Sequence, residues 1–110
     1  MSSGTEIDPA TAAHAFGNAY FNLIRRGADG SLTLSADHWR LDEATDDVFR
    51  FSAREADAPP LEIRVPEIER VIWDRLPKQT VRSQIRFNLF SGDLWTFSGN
   101  VDESALTPRA

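Results

Sequence analysis

The sequence predicts a mainly β protein: one domain built on an antiparallel curved sheet or partly open barrel, with a single N-terminal helix. Three observations lead there. From about Ser31 to Ser98 apolar and polar residues alternate with a period of two, the signature of a sheet with one buried face. Turn-forming residues interrupt that alternation at short intervals. No helical pattern separates the strands, which argues against parallel βαβ units.

The elements follow in chain order. Met1 to Ile7 reads as a flexible end, and residues 8–106 as one β-rich domain. Asp8-Pro9 starts a helix: Asp is a favoured N-cap, and Pro fits a first turn that does not need its N–H. Ala12, Ala13, Phe16, Tyr20, Leu23 and Ile24 recur at helical spacing. Gly17-Asn18 interrupts them, so Ala19 to Arg26 reads equally as the helix's second half or as a first strand. Leu32 and Leu34 alternate with Ser31, Thr33 and Ser35, and Ala36-Asp37-His38 reads as a tight turn. Trp39 and Leu41 resume the alternation in a new register. Asp42 to Asp47 forms an acidic loop. Phe49, Phe51 and Ala53 share one face of the next strand, and Leu61, Ile63 and Val65 share a face of the one after. Pro66 ends that ladder because it has no N–H to donate. A short helical turn and a strand carry Ile68, Val71, Trp73 and Leu76. Leu76-Pro77-Lys78 turns the chain into the clearest strand, Val81 to Phe90. Ser91-Gly92-Asp93 makes a hairpin into Leu94 to Ser98, and Val101 to Leu106 is a short segment able to start a helix.

Composition narrows the function classes. The chain has 110 residues and is 41% hydrophobic, with seven Phe and three Trp, enough aromatic bulk for one core. It has no cysteine, so disulfides, thiolate metal sites and cysteine nucleophiles are excluded, and a cytoplasmic location is expected. No apolar run reaches the roughly 18 residues a membrane span needs, and the N-terminus lacks the pattern of a secretory signal. The net charge of −5 disfavours nucleic acid and peripheral lipid contact. Charge is uneven: acids crowd Asp37 to Glu69, whereas Arg70, Arg75, Lys78, Arg82 and Arg86 face only Asp74 between Arg70 and Phe90.

No catalytic constellation emerges. The two histidines, His14 and His38, lack ligand spacing, so no metal site is expected. Neither a phosphate-binding glycine loop nor a nucleophile elbow occurs, and no cofactor is implied. Arg82 and Arg86 share a strand face with Gln84 between them, a surface suited to an anionic group or an acidic partner. Asp46 and Asp47 offer an acidic contact of their own. His38, Trp39 and Trp73 are the candidate lining of a pocket, since ligand pockets need aromatic walls.

The segment Gly30-Ser31-Leu32-Thr33-Leu34-Ser35, with the residues through Leu41, resembles the early strands of GRAM and bacterial pleckstrin-homology-like domains. Val65-Pro66-Glu67-Ile68-Glu69-Arg70-Val71 resembles their proline-led element with one residue fewer between Pro and Ile, and Ile85 to Phe97 is similar to their last hairpin. The resemblance implies a binding module for lipids, peptides or protein partners, with the N-terminal helix in place of the family's C-terminal one. No basic phosphate-binding cluster carries over. The leading expectation is a non-catalytic interaction domain that recognises a protein or anionic partner, or a second copy of itself. Two others stand beside it. One is a small-molecule binder or enzyme with a cystatin-like helix on a curved sheet. The other is an acidic inhibitor or immunity-type protein.

Overall fold

The computed structural model describes residues 4–55, 59–75 and 83–101. Strand β1 (Thr5–Ile7) leads into helix α1 (Pro9–Phe16). Strands β2 (Phe21–Arg26), β3 (Leu32–Ala44), β4 (Val48–Ala53) and β5 (Leu61–Arg64) form a first antiparallel meander. One 3-10 turn at Val65–Glu67 passes into a second meander of β6 (Ile68–Arg75), β7 (Ser83–Leu89) and β8 (Leu94–Gly99). The two meanders join where β2 pairs with β8, giving one eight-stranded sheet in the order β1-β6-β7-β8-β2-β3-β4-β5. Among the described residues the protein is mainly β with one helix, and the sheet does not close into a barrel.

The sheet is nevertheless strongly curled. Neighbouring strands lie about 4.8 Å apart, so β4 and β7, four steps apart, would be separated by roughly 19 Å in a flat sheet. Yet the Phe49 and Phe87 rings are 6.0 Å apart, and Phe51 of β4 stacks on Phe97 of β8 at 4.6 Å. Helix α1 fills the hollow. Phe16, 1% exposed, contacts the rings of Phe21, Phe51, Phe87 and Phe97 at 5.0 to 6.0 Å.

The helix ends at Phe16 because Gly17 takes φ +55° and ψ −136°, a backbone conformation open to glycine and strained for other residues. The following residues therefore take the strand alternative: Leu23 is buried and Ile24 exposed. Asp8 sits at the N-cap without a side-chain cap hydrogen bond, so Pro9 alone carries the start signal.

Three expectations are corrected. Thr5–Ile7, read as part of a flexible end, pairs with β6 in the register Thr5–Trp73, Glu6–Ile72 and Ile7–Val71. Ala36-Asp37-His38 is not a turn: β3 runs through it, and residues 35–37 stand together opposite Leu23 as a bulge between the Asn22–His38 and Ile24–Leu34 pairs. That bulge produces the change of register read from the sequence. Asp42 and Glu43 lie on β3, leaving Thr45-Asp46-Asp47 as the acidic turn. The turn at Leu76-Pro77-Lys78, Val81, Arg82 and the chain beyond Val101 lie outside the described residues. Among the described residues no helix is long and apolar enough to cross a membrane.

Truncating Phe16 to Ala removes the ring on which four strands converge and is expected to cost about 3–5 kcal/mol. Urea denaturation measures this directly, and a loss below about 1 kcal/mol would mean that the sheet holds its curl without the helix. Gly17→Ala meets no neighbouring atom within 4 Å but strains the backbone, and is expected to cost about 1–3 kcal/mol.

Candidate functional site

The candidate pocket residues do not share one cavity. His38 and Trp39 are consecutive on β3 and point to opposite sides of the sheet. Trp39 is buried against the core, whereas His38 is exposed on the outer face opposite Asn22. Trp73, on β6, is half-buried and pairs with Thr5 and Ile85 on the inner face. A different cleft of about 630 Å³ opens between the start of α1 and the β3–β4 turn. Its walls are largely apolar, with Pro9, Ala13, Phe49 and Val65 among them, and its ionisable lining groups are Asp8, His14 and Asp46. The Thr45 hydroxyl accepts the backbone N–H groups of Asp47 and Val48, fixing the turn that carries Asp46. Asp46 and Asp47 are exposed there, and the Asp47 carbonyl accepts the Val65 N–H.

The sheet's outer face divides by charge. On the β3–β4–β5 wing Arg40 and Arg50 are already paired, while Arg64 on β5 is exposed and, among the described residues, has no carboxylate within 4.0 Å. Arg40 bonds Asp42 at 2.9 Å, and Arg50 lies between Glu43 at 2.9 Å and Glu62 at 2.8 Å. Glu43, Arg50 and Glu62 are direct cross-strand neighbours, so the pairing follows from register. The Arg40 hydrogen bond holds the Asp42 carboxyl below its ordinary value.

The β6–β7–β8–β2–β3 wing carries ladders of residues that share the outer face. One runs Ile72, Arg86, Thr96, Ile24, Leu34. Of the predicted contact residues, Arg82 lies outside the described residues, while Gln84 and Arg86 are half-buried on this face. Arg86 is already engaged: its guanidinium bonds Asp74 on β6 at 2.5 Å, and Asp74 is only 5% exposed. Gly4 lies over this pair, where a Cβ would collide with Ile72 and crowd both charged side chains. Arg86 thus serves as an internal counter-ion.

The next ladder runs Arg70, Asn88, Leu94, Arg26, Leu32. Arg70 and Arg26 are exposed, and among the described residues neither has a carboxylate within 4.0 Å. Phe90 is exposed in the β7–β8 turn at this end of the sheet. The β7–β8 and β2–β3 turns are held together by the Asp93 carboxylate, which accepts the Ala28 N–H. Sequence reasoning missed Arg26 because the helical reading placed it in a last helical turn. The strand reading of Ala19 to Arg26 would have put Asn22, Ile24 and Arg26 on one face. Asp46 and Asp47, at the far tip of the other wing, do not join this surface.

Comparison with known protein families, with curated proteins and with solved structures gives no match.

Asp74→Ala leaves a half-buried guanidinium without this counter-charge and is expected to destabilise the fold by roughly 2–3 kcal/mol, below a fully buried pair because Arg86 is partly solvated. A change under about 0.5 kcal/mol in urea denaturation would show the pair to be incidental. For Asp42, whose carboxyl titrates lower in the folded chain, the stabilisation is complete above the ordinary carboxylate range. It is lost as pH falls through the depressed folded value. Asp42→Asn is therefore expected to lower stability at neutral pH and to match the wild type in strong acid.

Proposed function

We propose that this chain is a non-catalytic interaction module that docks an acidic, aliphatic segment of a partner protein across the outer face of β6, β7, β8, β2 and β3. The observation that carries this reading is the ladder with two exposed arginines, Arg70 and Arg26, that have no carboxylate within 4.0 Å among the described residues, and an amide and a leucine between them. They stand three strand spacings apart, roughly 14 Å. Two carboxylates at that separation on a partner would meet one guanidinium each, while Leu94 and Ile24 receive its apolar side chains. Charge complementarity of this kind sets specificity and association rate more than affinity. A protein segment suits the surface better than a polyanion does. This ladder carries two arginines, aliphatic side chains lie beside them, and the whole chain carries −5.

The pleckstrin-homology or GRAM-like assignment belongs to the same proposal. It is supported by the two meanders and by a helix seated in the hollow of a curled sheet. The lack of cysteine fits a reducing compartment, so we place the module in the cytoplasm.

Selection of short peptides from a displayed random library against the full chain tests the reading. Acidic sequences with interspersed Leu, Ile or Val are expected to enrich. Arg26→Glu/Arg70→Glu is expected to weaken the selected peptides by about tenfold or more, with an unchanged circular-dichroism spectrum. Selected peptides without acidic bias, or equal binding to the charge-reversed chain, would overturn it.

A further inference from the structure

The sheet has a third open edge besides its two ends. Strand β4 pairs with β3 only from Trp39 to Ala44. Leu32, Thr33 and Leu34 therefore have β2 on one side and, among the described residues, no strand on the other. The direction of their backbone groups follows from the hairpin. The Gly27 N–H donates to the Ser31 carbonyl at 2.9 Å, so Ser31 faces β2. In an antiparallel ladder that direction alternates with each residue. Thr33 therefore bonds Arg25, and the N–H and C=O groups of Leu32 and Leu34 point away from β2, into the open edge. The two leucine side chains are 56% and 69% exposed.

Natural sheets blunt such edges with charge, proline or very short strands. The other two edges here follow that practice: β1 has three residues including Glu6, and β5 has four including Glu62 and Arg64. Ser31 to Leu34 carries no charge and no proline.

We infer that this edge pairs with the same edge of a second copy, giving a two-fold dimer whose axis passes beside Thr33. The segment is self-complementary. With Thr33 opposite Thr33 of the second copy, Leu32 falls opposite Leu34 and Leu34 opposite Leu32. These are the residues whose N–H and C=O groups meet no partner among the described residues, so four inter-chain backbone hydrogen bonds form. Thr33 is the non-bonded pair on the axis. All four leucines lie on the outer face and meet as cross-strand pairs beside Ile24. A second copy fits better than a charged peptide, because the strip offers no charge to recognise one. The contact is short, so the dimer is weak and depends on concentration. This inference stands apart from docking on the sheet face, since Arg26→Glu/Arg70→Glu leaves the edge intact.

Sedimentation equilibrium of the full chain, from low micromolar to near-millimolar concentration, tests the dimer. The wild type is expected to pass from monomer to dimer over that range, with hydrogen exchange at the Leu32 and Leu34 amides slowing as the dimer forms. Leu34→Pro removes a donor that points only into the open edge and is expected to remain monomeric. Leu34→Lys keeps the backbone and is expected to associate at least about tenfold more weakly; it decides the matter should the proline variant lose its native circular-dichroism spectrum. A wild type that stays monomeric throughout, or a dimer that survives both substitutions, overturns the inference.

Discussion

The packing of one helical phenylalanine against four strands is the constraint on which the rest of this structure depends. Phe16 reaches Phe21, Phe51, Phe87 and Phe97, which come from both meanders. Only a sheet folded over on itself places those four rings within 6.0 Å of one helical ring. Curling buries the apolar face of nearly every strand against a single small helix, which is how a chain of 110 residues obtains one continuous core. The conformation of Gly17 is part of the same constraint. It ends the helix immediately after Phe16 and sends the next residues into β2.

Curling in one direction leaves a single outer face, and the strand register decides which charges meet there. Glu43, Arg50 and Glu62 fall side by side across three strands, so two acids of the chain's middle neutralise Arg50. Asp74 takes up Arg86 in the same way. On the opposite wing one ladder keeps two exposed arginines, Arg70 and Arg26, with no carboxylate within 4.0 Å among the described residues, in the company of leucines. A net acidic protein therefore presents a locally basic and aliphatic surface. The open segment of β3 arises from the same geometry. The bulge at residues 35–37 separates the part of β3 that pairs with β4 from the part that pairs only with β2.

Much of the fold was legible in the residues. The period of two in Val81 to Phe90 names the inward side chains of β7, and the alternations of Phe49 to Ala53 and Leu61 to Ile63 do the same for β4 and β5. Pro66 and the Ser91-Gly92-Asp93 turn mark real boundaries. The site was much less legible. Arg86 stood out with Arg82 on one strand face, but its neutralisation by Asp74 needs the pairing of β6 with β7. Arg26 was hidden by Tyr20, Leu23 and Ile24, whose spacing suits a helix as well as a strand. His38 and Trp39, adjacent in sequence, were grouped as one pocket although adjacent strand residues face opposite ways.

From the sequence alone come the fold class, the inward face of most strands, the start of the helix and the absence of any cysteine chemistry. These are properties of single segments, set by side-chain periodicity and by the backbone limits of proline and glycine. Tertiary structure alone decided how far the sheet curls, which strand each edge meets, and which arginines keep a counter-charge. Those outcomes depend on residues far apart in the chain becoming neighbours across strands. Register sets that proximity, and a one-residue shift would exchange every inward side chain for an outward one.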